Sequence, residues 1–216
     1  MHKVIFDTDP GVDDAMALLF LHNHPEIDLI GITTVFGNAS IETTTRNALF
    51  LKREWGIGAP VAKGDGKTYN PMRNPIDWPV MIHGHDGLGN IDVPETIDLP
   101  LDPRPAHRFI IETVRANPGE VTLIAVGRMS NLAYALKEDP EIAGLVKQVI
   151  IMGGAFDVPG NITARRRSQY PWRPGGGRRG DGGGLEGRRR RPRRDDEDRD
   201  GCASGWPTSR RRTANT

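Results

Sequence analysis

The chain has 216 residues, 26% of them charged and 37% hydrophobic, with a formal net charge of +1 and one cysteine. At about 100–200 residues per domain, this length suits one domain with room for an appendage. One cysteine excludes an internal disulfide framework and fits a reducing compartment, and no apolar run approaches the ~20 residues of a membrane helix.

Met1–Asp7 enters a strand-like run at once, Lys3–Phe6, that ends in acids. This leaves no room for a secretory signal and predicts a cytoplasmic protein with no membrane partner. Ala15–His22 is apolar and rich in helix formers. Asp28–Phe36 reads as a second buried strand, closed by Gly37-Asn38. Ser40 is placed to cap a helix that runs to about Trp55 and stops at Gly56. Ala59–Ala62 reads as a short third strand. Residues 63–100 are rich in Gly, Pro, Asp and Asn, and so long a loop inside a domain is usually functional or mobile. Pro105–Ala116 is a predicted helix, Val121–Val126 a strand, Ser130–Lys137 a helix capped by Ser130, and Gln148–Met152 a strand closed by Gly153-Gly154. Trp55, Trp78 and Tyr134 read as packing residues. Alternating buried strands and helices predict an α/β fold, an open, mostly parallel Rossmann-like sheet with helices on both faces.

The charge is a cancellation of two unlike segments. Residues 1–164 hold 13 Lys and Arg against 21 Asp and Glu, whereas residues 165–216 hold 16 Arg, no Lys and 7 Asp and Glu. Residues 165–216 contain ten glycines, one leucine (Leu185) and no Val, Ile, Phe or Met. Such a stretch cannot bury enough apolar surface to offset its chain entropy, so it is predicted to be a disordered basic tail on a globular 1–164.

The sharpest chemical feature is Asp7-Thr8-Asp9-Pro10-Gly11-Val12-Asp13-Asp14. Four carboxylates fall within eight residues at the carboxyl end of the first strand, where open α/β sheets bind ligands. The Pro10-Gly11 turn lets the acids converge. Clustered like charge is costly unless something positive sits among it, and carboxylate oxygens suit Ca²⁺ or Mg²⁺. A metal would lower the pKa of a bound water and let one carboxylate take its proton. The plainer reading is that Asp13 or Asp14 favours the positive end of the next helix and Asp7 forms a turn.

DTDPGVDDAMAL resembles the amino-terminal signature of the inosine–uridine preferring nucleoside hydrolases. Val35-Phe36-Gly37-Asn38, His83-Gly84-His85-Asp86-Gly87-Leu88-Gly89, Ile151-Met152-Gly153-Gly154-Ala155 and Gly160-Asn161-Ile162-Thr163 resemble further family motifs in order and spacing. Val126-Gly127-Arg128-Met129-Ser130-Asn131-Leu132-Ala133 resembles a Gly-Pro-Leu-Thr-Asn-Leu-Ala segment, with Arg-Met in place of Pro-Leu.

The resemblance implies Ca²⁺-dependent hydrolysis of the N-glycosidic bond of ribonucleosides such as inosine or uridine, giving ribose and free base. By motif position it implies that Asp9 binds calcium and acts as general base. It makes Asp14 a calcium ligand, the Val126 backbone carbonyl another, and Asp13 an acceptor for a ribose hydroxyl. Asp7 supports the cluster, Asn38 orients ribose or water, and Met152 and Asn161 line the ribose. A homo-oligomer is implied for the intact family. For His83, His85 and Asp86 three readings stand open: a transition-metal site, a base-side role in which His83 binds or protonates the leaving base, and a plain polar loop. Ser130 and Asn131 read as a helix start rather than as ligands.

The resemblance ends near Ala164. Where the family carries a Glu and an Asn for the ribose 5′ side, this chain has Arg167 and Gln169, and the family's later active-site His and calcium Asp have no counterpart. The abrupt change inside a motif reads as a shift of coding frame, and activity is expected to suffer. The competing reading is an evolved Arg/Gly tail that binds nucleic acid through charge, on a catalytically dead chain. A phosphatase-like use of Asp7 and Asp9 is a weaker rival, because Gly11 stands where that chemistry wants Thr or Val.

Overall fold

A computed structural model describes residues 1–67 and 78–153 of the chain. Five strands form one all-parallel sheet in the order β3-β2-β1-β4-β5. They are β1 (His2–Thr8), β2 (Ile27–Thr34), β3 (Val61–Lys63), β4 (Val121–Ala125) and β5 (Gln148–Ile151). The helices are α1 (Val12–Asn23), α2 (Ile41–Trp55), the single turn α3 (Val80–His83), α4 (Ala106–Ala116), α5 (Ser130–Glu138) and the short α6 (Ile142–Leu145).

Val4, Ile5 and Phe6 of β1 are fully buried, because a central parallel strand is covered on both faces. One face packs Ile5, Leu123 and Val149 against Phe109 and Val114 of α4 and Leu132 of α5. The other packs Phe6 and Ile32 against Leu18 and Leu21 of α1 and Ala48 and Leu51 of α2. The chain winds one way through β1, β2 and β3 and the other way through β4 and β5. The switch lies between β1 and β4, and in such sheets ligands bind at the carboxyl ends there.

Local signals act as expected at α2. Ser40 Oγ accepts the Thr43 N–H at 3.2 Å, and Gly56 ends the helix at φ 63°. Lys52 Nζ adds donors to the carbonyls of Ile57 and Ala59, at 2.7 Å each.

Several boundaries differ from expectation. The first helix begins at Val12 rather than Ala15, because Asp14 Oδ2 accepts the Gly11 N–H at 3.2 Å and secures the first turn. The second strand stops at Thr34, yet Val35 N–H still bonds Thr8 O. The third strand is Val61–Lys63. Ser130 is the first residue of α5, not its cap; Met129 precedes it and its carbonyl accepts the Ala133 N–H. Trp55 packs on the α1/α2 core, Trp78 meets Phe36 edge-on at 6.4 Å, and Tyr134 lies 6.0 Å from His107. The basic tail, and with it the predicted boundary at 164/165, lies outside the described residues. Among the described residues no helix is long and apolar enough to cross a membrane.

Candidate active site

The carboxylates of the Asp7–Asp14 segment divide by the strand's alternation. Asp7 turns toward α5. Its Oδ1 accepts Thr33 Oγ1 at 2.6 Å and Asn131 Nδ2 at 2.7 Å, while its buried Oδ2 has no hydrogen-bond partner among the described residues. Burial pushes its carboxyl up to about 7, against the pull of the Asn131 and Thr33 hydrogen bonds. Thr8, on the opposite face, donates to Asp14 Oδ1 at 2.7 Å.

Asp9 lies just past the strand, buried between two glycines. A Cβ on Gly37 would collide with Asp9 Oδ2, and one on Gly127 would sit 2.5 Å from Asp9 Oδ1. The Asn38 N–H donates to Asp9 Oδ2 at 2.8 Å, leaving Oδ1 toward Gly127. Asn38 Nδ2 ties the segment together, donating to Asp9 O and to Asp14 Oδ2, each at 2.9 Å. Burial, and next the Asp14 charge, raises the Asp9 carboxyl well above its ordinary range. Burial pushes Asp14 up to about 6, with Thr8 opposing. Asp13 is exposed, 3.9 Å from the buried His83 ring.

His83 comes from α3, far away in sequence. Its Nδ1 accepts the Val12 N–H at 3.3 Å, so the neutral ring carries its proton on Nε2. Burial lowers its pKa and the Asp13 charge opposes that. His85 is exposed, and Asp86 Oδ1 accepts the Leu88 and Asn90 N–H groups, each at 2.8 Å. Asp86 therefore shapes the loop. Among the described residues no three His, Cys, Asp or Glu side chains converge to hold a metal.

Val126 follows β4, its N–H bonded to Asp7 O at 2.9 Å. Met152 N–H bonds Ala125 O at 2.9 Å, which places Met152 one strand away at the same sheet end. Asn161 lies outside the described residues. Sequence reading missed three members. Thr8 and Asn131 hold Asp14 and Asp7, and Arg128 stands over the Phe36 ring with Cζ 4.9 Å from its centroid. The only sequence signal for Arg128 was its departure from the Pro of the resembling motif. A separate cavity of 710 Å³ is lined by Ser40, Lys63, Lys67, Trp78, His107 and Tyr134, and none of the four acids lines it.

The family model for inosine-uridine preferring nucleoside hydrolase matches residues 4–167. This chain belongs to that family. Among nucleoside hydrolase relatives, it is 44% identical over 164 residues to probable uridine nucleosidase 2 of Arabidopsis thaliana, covering 74% of this chain and 50% of that one. It is 40% identical over 164 residues to the inosine-uridine preferring nucleoside hydrolase of Crithidia fasciculata, covering 75% and 51%. A solved plant nucleoside hydrolase superposes with a TM-score of 0.72 at 40% identity, covering 78% of this chain and 52% of that one. The chain thus spans about half the length of the curated relatives it matches.

Proposed function

We propose that residues 1–164 of this nucleoside hydrolase family member are the carboxylate-bearing part of a nucleoside N-ribohydrolase. The carrying observation is Asp9, a buried carboxylate set against Asp14 and fitted between Gly37 and Gly127. The fit to a hard divalent cation, Ca²⁺ in this reading, rests on the donor set. Two buried carboxylates repel each other, and oxygen donors suit such an ion. Asp9, Asp14 and the Val126 carbonyl would hold it. When bound, it supplies a Lewis acid that acidifies a water and grips vicinal hydroxyls.

The remaining steps belong to the chain's own groups. Asp9, the general base, takes the proton of the attacking water. Exposed Asp13 accepts a hydrogen bond from a ribose hydroxyl, and Asn38 keeps Asp9 and Asp14 in register. Met152 lines the sugar. As the C–N bond breaks, positive charge grows on the ribose and the carboxylates stabilise it. His83, whose proton sits on Nε2, donates a hydrogen bond to the departing base and keeps that proton. Uridine and inosine are the proposed substrates, because relatives are named for them.

Two measurements test this reading on the full chain. Calorimetry is expected to show Ca²⁺ binding that an Asp9→Ala, Asp14→Ala double variant loses. Release of uracil or hypoxanthine by the full chain is expected to be weak and to vanish in Asp9→Ala. Turnover that survives Asp9→Ala, or Ca²⁺ binding that survives the double variant, overturns the assignment.

A further inference from the structure

Arg128 lies half-buried on the turn between β4 and α5. Its guanidinium stands over the face of Phe36, 4.9 Å from the ring centroid, and Phe36 is fully buried. A cation held over a buried ring is restrained from swinging into solvent. The Arg128 Nε is itself buried and finds no hydrogen-bond partner among the described residues. The preceding residue, Gly127, is packed against Asp9 Oδ1. Phe36 precedes Gly37 and Arg128 follows Gly127, the two glycines that pack on Asp9, so the ring holds the guanidinium in the neighbourhood of that acid.

We propose that Arg128 sets the divalent-cation affinity of the Asp9–Asp14 site, weakening it by placing a fixed positive charge beside the ligand carboxylate. This rests on the metal reading of Asp9 and Asp14. Burial lowers the Arg128 pKa, yet a guanidinium starts high enough to stay charged at neutral pH. A metal entering the site thus meets a charge of its own sign, and in a half-buried setting that repulsion is only partly screened.

The test is Ca²⁺ calorimetry on the full chain at pH 8.5, where protons compete least for the carboxylates. Arg128→Met and Arg128→Gln remove the charge while keeping a long side chain, and Arg128→Lys keeps it. Both neutral variants are expected to bind Ca²⁺ about tenfold more tightly or better, with Arg128→Lys close to the unsubstituted chain. Circular dichroism identifies a variant that fails to fold, and the other neutral variant then decides. If the unsubstituted chain binds Ca²⁺ and a folded neutral variant binds it equally or less tightly, the Arg128 inference falls alone. If neither binds Ca²⁺, the metal reading falls with it. Binding by the neutral variants alone supports the proposal in its strongest form.

Discussion

Asn131 Nδ2 donates to Asp7 Oδ1 at 2.7 Å across 124 positions of sequence, and the same nitrogen donates to Thr34 O at 2.9 Å. One amide thus joins the first turn of α5 to the ends of β1 and β2, beneath the carboxylate cluster. Asn131→Ala is expected to leave Asp7 without one of its two donors in a buried place. The cost should be about 1–3 kcal/mol, read as a lower midpoint in urea unfolding. An unchanged midpoint would show that the pair is not a support.

Asp7 also makes stability depend on pH. Its carboxyl ionises at the ordinary 3.8 when unfolded and at about 7 when folded. The folded state then holds the proton more tightly between those values. Its stabilising contribution is full below 3.8 and is lost as pH rises through about 7. Metal-free protein should therefore unfold at lower denaturant at pH 8 than at pH 5.5. Asp7→Asn, which mimics the neutral acid, should flatten that slope.

Gly127→Ala tests the cradle around Asp9. A methyl there would meet Asp9 Oδ1 at 2.5 Å, so the carboxylate must move. The expected result is at least tenfold weaker Ca²⁺ binding by calorimetry, with the circular dichroism spectrum preserved. Retained affinity would mean that the position of Asp9 is not critical.

Lys52 offers a prediction remote from the chemistry. Its ammonium donates to the carbonyls of Ile57, Gly58 and Ala59 beyond the end of α2. Lys52→Met should remove about 1–2 kcal/mol of stability without altering Ca²⁺ affinity. A parallel loss of both would point to a longer-range coupling than the contacts contain.

The sequence by itself determined the parallel α/β plan, because its signals are local. Val4–Phe6 is apolar enough to be buried on both faces, Ser40 caps a helix and Gly56 stops it. It also singled out the Asp7–Asp14 segment, since four acids around Pro10-Gly11 are costly without a use. Tertiary structure alone decided how those acids divide. Asp7 faces Thr33 and Asn131, whereas Asp14 faces Thr8, because neighbouring side chains of a strand point to opposite faces. It alone brought His83 to the Val12 N–H and Arg128 to Phe36. Such contacts depend on sheet order and on the packing of helices against both faces. Spacing along the chain carries neither, so Asn131 read as a helix start and Arg128 as a mere departure from a motif.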